Sequence, residues 1–494
     1  MSIDTQATDF LDSLIAGIQA RVNEKEHSKD DPIVEFPKKT GIEIRAGETR
    51  IGKPEGMSPE KLVRVTTEYI EAQKQTIRTV RQIKGRIEDV QVAVSAICEK
   101  QWGTTGKGIP FMGQPPMFDD VIVGVSDTGR AITKRVIVSE FSLEPLEATI
   151  EYGGWRHEQY GICGMISVVS TKGNEVQVTA FLDAVESYVE NHSIYKGKVV
   201  EFRRKKNPDQ HGDYELSHRH VRKDHSIVYN KQTEGDLLYG ITGNIRYAKV
   251  FSEQKDSKAE FNTLLYGPYG TGKTECTIAS AVEATKAGWT TIFFTPSSND
   301  TIADLEAARN MAGLYAPSLL VVEDIDRYFI NTTPQQDAHI TSVIGGMTSK
   351  GSQVSMVMTT NFVERLPMSM TRPGGRTDMA VEIGYLDREA TERLFRTLLA
   401  DELDDGVDFD AVYEMVEGTG PSFVRSTFER ARKNSIITNN GEVGHALKTE
   451  DFVYSARAMR EQAKIHNNAS QKTLAERVVD NIKEKNELMS LLMS

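Results

Sequence analysis

Gly267-Pro268-Tyr269-Gly270-Thr271-Gly272-Lys273-Thr274 decides how the rest of this 494-residue chain is read. The spacing is G-x-x-x-x-G-K-[ST]. An apolar, strand-like run (Asn262 to Tyr266) precedes it, and helix formers (Glu275 to Ala284) follow it. Strand, glycine loop and helix in that order make a phosphate cradle. The glycines let the backbone curl so that several N–H groups converge, and the helix N-terminus adds its positive end. Lys273 is placed to reach the β- and γ-phosphates of a nucleotide, and the Thr274 hydroxyl to bind Mg²⁺. The expected binding segment runs from Gly267 through Glu275.

Working outward, four apolar runs alternate with helical patterns: Phe261 to Tyr266, Thr290 to Thr295, Ser318 to Val322 and Val354 to Thr359. Such alternation predicts a parallel sheet covered by helices on both faces, an α/β P-loop NTPase core. Four helical patterns come next, at Arg388 to Ala400, Phe409 to Glu417, Pro421 to Asn434 and Thr449 to Ile465.

The third run ends in acids, Leu319-Leu320-Val321-Val322-Glu323-Asp324-Ile325-Asp326. A buried strand that delivers one carboxylate to a metal and another to the attacking water is what nucleotide hydrolysis needs.

With these residues quoted, the chain resembles the AAA+ ATPases, and within them the AAA subfamily. Leu264-Leu265-Tyr266-Gly267-Pro268 is similar to that family's lead into the P-loop, and Thr359-Thr360-Asn361 resembles its first sensor. Leu366-Pro367, with Thr371-Arg372-Pro373-Gly374-Gly375-Arg376-Thr377-Asp378, resembles its arginine-finger segment. The resemblance covers about residues 235 to 465. It implies ATP and Mg²⁺ as cofactors, Thr274 and Glu323 on the metal, and Asp324 with Asn361 on the water. It further implies Arg372 and Arg376 reaching the nucleotide of the next subunit, in a homo-oligomeric ring expected to be a hexamer.

Three departures matter. The acids run Glu323-Asp324 instead of the family's usual Asp-Glu, an order similar to that of the mitochondrial inner-membrane AAA translocases. Asp is one methylene shorter than Glu, and a misplacement of about 1 Å counts in rate. The finger loop carries an extra glycine, Gly375. The loop after the second strand, Pro296-Ser297-Ser298-Asn299-Asp300-Thr301, has no aromatic residue with which to grip a threaded chain. In the lid, Arg425 stands where the family's second-sensor region lies; a nucleotide contact is the alternative, and a helix surface is the expectation.

The remaining sequence is organised as follows. Residues 1–57 are expected to be a flexible segment. Residues 58–103 form a long helix or coiled coil starting at Ser58-Pro59, with Leu62, Tyr69, Thr76, Ile83 and Val90 seven apart. Residues 104–231 read as an α+β domain for substrate or partner recognition, with strand-like runs at Val121 to Val125, Ala131 to Val138, Gly164 to Val169 and Val176 to Thr179, and a helix at Ala180 to Glu190. The ATPase subdomain is expected over 232–387, its helical lid over 388–470 and a last helix over 471–494.

Charge bounds the partners. The net charge of −12, from 59 basic and 71 acidic side chains, does not favour nucleic acid. A basic stretch (Arg203, Arg204, Lys205, Lys206, Arg219, Arg222, Lys223), with His211, His218, His220 and His225 among it, keeps that alternative open; the histidines show no zinc-ligand spacing. Trp155 and Tyr160, near His157, are expected as core or turn residues. Three scattered cysteines fit a reducing compartment, and no apolar run approaches membrane-spanning length or a secretory signal, so a cytoplasmic protein is expected. The leading expectation is an ATP-hydrolysing ring that remodels an unidentified protein or complex. The alternatives are a nucleic-acid-associated motor or loader, and an ATP-gated scaffold with little hydrolysis.

Overall fold

A computed structural model describes residues 42–45, 48–51 and 76–462, apart from 103–116, 144–145, 159, 210–211, 223–226, 255–259, 298–299, 331, 346–352, 373–374 and 400. Several expectations lie outside these residues: most of the segment 1–57, the start of the long helix at Ser58, the helix 471–494, His211, Lys223, His225 and the Lys206 side chain. Within the segment expected to be flexible, β1 (Ile42–Arg45) and β2 (Glu48–Ile51) form an antiparallel hairpin.

The long helix expected over 58–103 is corrected by a strand, β3 (Thr76–Gln82), and a shorter helix, α1 (Ile87–Trp102). The reason is local. Thr76, Ile77, Thr79 and Val80 are β-branched, and alternate residues of the strand are exposed and half-buried. The seven-residue spacing does not separate this from a helix. Arg81 ties β3 to the helix over Glu175–His192 by ion pairs with Asp183 at 2.8 Å and Glu186 at 2.7 Å.

The N-terminal region continues with β4 (Phe118–Val125), β5 (Ala131–Ile137), β6 (Phe141–Leu143), β7 (Ala148–His157), β8 (Gly161–Thr171) and α2 (Glu175–His192). Strands β3-β8-β7-β6 form one antiparallel sheet, and β4-β5 a separate hairpin. The run Val176 to Thr179, expected to be a strand, lies in the first turns of α2. Val178, Phe181, Leu182, Val185 and Val189 are buried at three- and four-residue spacing, and this helical period outweighs the short alternation.

The larger sheet has seven strands: β9 (Val199–Asp209), β10 (Gly212–His218), β11 (Asn262–Tyr266), β12 (Thr290–Phe294), β13 (Ser318–Val322), β14 (Val354–Thr360) and β15 (Met379–Glu382). Their spatial order is β10-β9-β12-β13-β14-β11-β15. All neighbours are parallel except the β9–β10 hairpin. The boundary expected between 231 and 232 is therefore corrected. β9 pairs with β12 in the register Thr291↔Val199, Ile292↔Val200, Phe293↔Glu201, so the basic hairpin belongs to the ATPase sheet.

Alternation along the strands builds two cores. Leu264, Ile292, Phe294, Leu320, Val322, Met356 and Met358 face one way, packing with α4 (Ile302–Leu314), α5 (Pro334–Ile344) and the N-terminal region. Leu265, Phe293, Leu319, Val321, Val357 and Val381 face the other way, onto α3 (Lys273–Lys286) and the helical stretch 231–253. Burial on both faces is why these strands read as continuous apolar runs.

The lid is helical: α6 (Arg388–Leu399), α7 (Phe409–Val416), α8 (Pro421–Thr438) and a helix over 449–462. Its core is a nest of rings. Phe395 lies 5.8 Å from Phe409, 4.3 Å from Phe428 and 5.1 Å from Phe452, all edge-on.

Candidate active site

The loop after β11 curls as its glycines require. Gly267 has φ +147°, and a Cβ there would stand 2.2 Å from the Ile383 carbonyl oxygen, closer than atoms pack. Thr271 Oγ1 donates to the Pro268 carbonyl at 2.9 Å and cinches the loop. Helix α3 begins at Lys273 with no side chain capping its N-terminus, so its first N–H groups are available to an anion. Lys273 Nζ folds onto the loop and donates to the carbonyls of Gly267 at 2.8 Å and Pro268 at 2.7 Å. Burial pushes its pKa down to about 8, against the pull of Asp324 and Asp326.

A cleft of about 420 Å³ opens here and brings together Tyr269 to Glu275, Glu323, Asp324 and Asn361. Glu323 directly follows β13, and β14, which lies between β13 and β11, presents Asn361 one residue past its end. Thr295 Oγ1 donates to Glu323 Oε2 at 3.0 Å, whereas Glu323 Oε1 is buried with no hydrogen-bond partner among the described residues. A buried anionic oxygen without a donor, in the same cleft as the Thr274 hydroxyl, fits a hard divalent cation. Among the described residues no group of three or more His, Cys, Asp or Glu forms a separate metal site.

Asp324 sits in the left-handed region at φ 49° and ψ 50°, which costs a non-glycine residue about 1–2 kcal/mol. Three contacts hold it there. Its N–H donates to Thr359 Oγ1 at 3.1 Å, its Oδ1 accepts from Asn361 Nδ2 at 3.3 Å, and its Oδ2 pairs with Arg327 at 2.8 Å. The third acid, Asp326, is buried; it accepts from Thr360 Oγ1 at 2.7 Å and pairs with Arg365 at 3.4 Å, so it supports the strand end.

Apart from Arg425, the other walls were not foreseen from sequence. Ile227, Val228 and Tyr229 line one side, and Leu394, Ser422 and Arg425 of the lid line another. Tyr229 Oη donates to the Gly272 carbonyl at 2.8 Å. Arg393 of α6 then holds the Tyr229 carbonyl at 2.6 Å and pairs with Glu234 at 3.0 Å. The lid touches the loop directly, because Ser422 N–H donates to the Gly270 carbonyl at 3.2 Å. The one signal in the sequence was an apolar trio, 227–229, standing between polar neighbours. Arg425, expected on a helix surface, is exposed and also borders the cleft.

Neither arginine of the finger segment lines this cleft. Arg372 is exposed, and no acid among the described residues pairs with it. Arg376 is half-buried, and its guanidinium packs over Gly345, just past α5.

Much of the basic stretch is engaged within the chain. Arg203 pairs with Glu201 at 2.8 Å, Arg204 approaches Asp304 at 3.6 Å, and Arg219 lies 4.1 Å over the Phe293 ring. His218 is stacked on Tyr195, and burial pushes its pKa down to about 4. His157 stacks on Tyr160 at 4.6 Å and meets the Trp155 ring edge-on at 5.1 Å. No helix among the described residues is long and apolar enough to cross a membrane.

Comparison with known proteins bears on this site. Residues 263–385 match the family described as ATPase family associated with various cellular activities (AAA). The 26S proteasome regulatory subunit 10B homolog A of Arabidopsis thaliana is 26% identical over 287 residues, 49% of this chain and 67% of that protein. The mitochondrial chaperone BCS1 of Danio rerio is 28% identical over 152 residues, 28% of this chain and 35% of that protein. Among solved structures, the AAA domain of FIGL-1 overlays with a TM-score of 0.39 at 17% identity, covering 48% of this chain and 85% of that one. The chain thus carries an ATPase domain of the AAA family, and ATP hydrolysis is the activity that goes with it.

Proposed function

We propose that this protein is an ATP-driven remodeller of a protein or protein complex, working as a ring whose sites are shared between neighbouring subunits. The observation that carries the reading is Arg372: exposed, without an acidic partner among the described residues, and absent from the wall of its own cleft. An arginine so placed serves hydrolysis when a second copy brings a phosphate to it, and head-to-tail contacts of this kind close into rings. Arg376, packed on Gly345, braces the same arm.

Within the cleft, the loop N–H groups and Lys273 bind the phosphates. Thr274 and Glu323 are the residues that would hold Mg²⁺, which neutralises phosphate charge when bound. Asn361 holds Asp324, and Asp324 orients the attacking water and accepts its proton. The apolar end formed by Ile227, Val228 and Leu394 suits the nucleotide base. The α+β region from β3 to α2 is the surface for the protein target, and the site of action is the cytoplasm. The internal pairing of Arg203, Arg204 and Arg219 weighs against the nucleic-acid alternative.

The test is steady-state ATP hydrolysis against protein concentration, with Arg372→Ala and Asp324→Asn measured singly and mixed. Turnover per subunit should rise with assembly, vanish in each variant alone and partly return in the mixture, where one subunit's cleft meets another's Arg372. Turnover independent of concentration, with no recovery on mixing, would overturn the shared site.

A further inference from the structure

Arg327 is used by none of the steps above, although it touches the residue assigned to the water. It follows β13 in the short 3₁₀ turn Ile325–Phe329. One nitrogen pairs with Asp324 Oδ2 at 2.8 Å; the other donates to the Pro296 carbonyl at 2.7 Å. Pro296 opens the loop that leaves β12. A single guanidinium therefore joins the acid of the cleft to a loop rooted on a different strand.

The far end of that loop is also fixed. Thr301 and Asp304 form a capping box at the start of α4. Asp304, 1% exposed, accepts from Tyr214 Oη at 2.9 Å and is approached by Arg204. Arg86, from the N-terminal region, donates to the Tyr214 carbonyl at 2.8 Å. Thr301 and Asp304 help wall a second cavity of about 650 Å³, whose other side carries Trp155, His157 and Tyr160. Movement of the N-terminal region thus has a bonded route to the loop, and the loop to Asp324.

With Arg327 on Oδ2 and Asn361 on Oδ1, both oxygens of Asp324 already accept hydrogen bonds. Neither oxygen is then left to turn toward a water without giving up one of these partners. We propose that Arg327 is a positioning residue, a latch that withholds Asp324 from the attacking water until the loop beginning at Pro296 shifts. Engagement of a target along that loop or the N-terminal region draws the guanidinium away and raises turnover. The inference rests on the assignment of Asp324 to the water.

The experiment measures kcat and KM for ATP in the full chain with Arg327→Ala, Arg327→Gln and Arg327→Lys, with Asp324→Asn alongside. A fluorophore on Ser297→Cys, an exposed position, reports the loop when a non-hydrolysable ATP analogue is added. Ala and Gln should each raise kcat about two- to fivefold at unchanged KM, the scale of releasing one partly exposed ion pair. They should also silence the loop signal while the analogue still binds. Lys keeps the charge beside Asp324 but lacks the planar fork to span two acceptors, so kcat should stay near wild type and the loop signal should fall. An unchanged or lowered kcat in both Ala and Gln overturns the latch, and a loop signal that survives in Ala overturns the connection to Pro296. Retained turnover in Asp324→Asn would instead defeat the underlying assignment, so the two failures are told apart.

Discussion

Asn361 at the tip of β14 donates to Asp324 at the tip of β13, at 3.3 Å, so two adjacent strand ends share one task. Asp324→Asn should lower kcat by about 10²- to 10⁴-fold, the usual worth of a positioned base, with ATP affinity nearly unchanged. Asn361→Ala should lose about tenfold, because the acid survives but is less firmly aimed. Phosphate release and titration with a fluorescent nucleotide separate kcat from binding. Turnover in Asp324→Asn above a tenth of wild type would remove Asp324 from the water's side.

Lys273 gives a pH dependence with a definite sign. Its pKa is depressed to about 8 in the free protein, so between pH 8 and its unfolded value the unfolded chain carries more protons. This contribution to stability is present at high pH and lost as pH falls through about 8. Phosphates favour the charged form, so ATP binding near pH 8 should take up about half a proton, and affinity should fall above pH 8. Calorimetry in buffers of different ionisation heat measures the uptake. Lys273→Met should abolish uptake and be no less stable than wild type without nucleotide at pH 7.

Phe395 is fully buried among three other phenylalanines of the lid. Phe395→Ala should destabilise the protein by about 3–5 kcal/mol through lost burial and the cavity left behind. Leu394 and Ser422 border the cleft from the same lid, so KM for ATP should rise more than kcat falls. Denaturant melts and initial rates are the measurements; an unchanged KM would mean that the lid wall contributes nothing to binding.

Asp89, on α1, supplies the opposite pH sign. Burial raises its pKa to about 6, against the hydrogen bonds it accepts, including 2.8 Å from Tyr315 Oη and 2.8 Å from Ile194 N–H. An acid with a raised folded pKa contributes stability that is complete below pH 4 and is lost as pH rises through 6. Asp89→Asn should flatten the stability profile between those values, as read by thermal melts at a series of pH values. A profile that keeps its slope would assign it to another group.

What the sequence showed followed from contiguity. Eight adjacent residues specify the phosphate loop, and Glu323 and Asp324 stand at the end of a fully buried strand, so both were legible without a partner in view. Tyr229, Leu394 and Ser422 reach the cleft from segments far apart in the chain, and only the packed lid makes them neighbours. The strand at 76–82 was hidden for another reason: its seven-residue rhythm is shared by two kinds of structure, and the choice is made by β8, whose pairing with it begins Thr76↔Thr171. The first turns of α2 were misread because Val176 to Thr179 alternates over four residues before the longer helical period shows.

The hairpin β9–β10 has a practical corollary for anyone who would isolate the motor. A fragment cut at residue 232 would retain Lys273, Glu323, Asp324 and Asn361 yet strip two strands from the slab and leave β12 as a bare edge, open to adventitious pairing. The ATPase sheet reaches back to residues 199–218 through Thr291↔Val199, so a cut at 232 does not separate two independent cassettes. Any region joined in front of this ATPase domain would have to leave residues 199–218 with it.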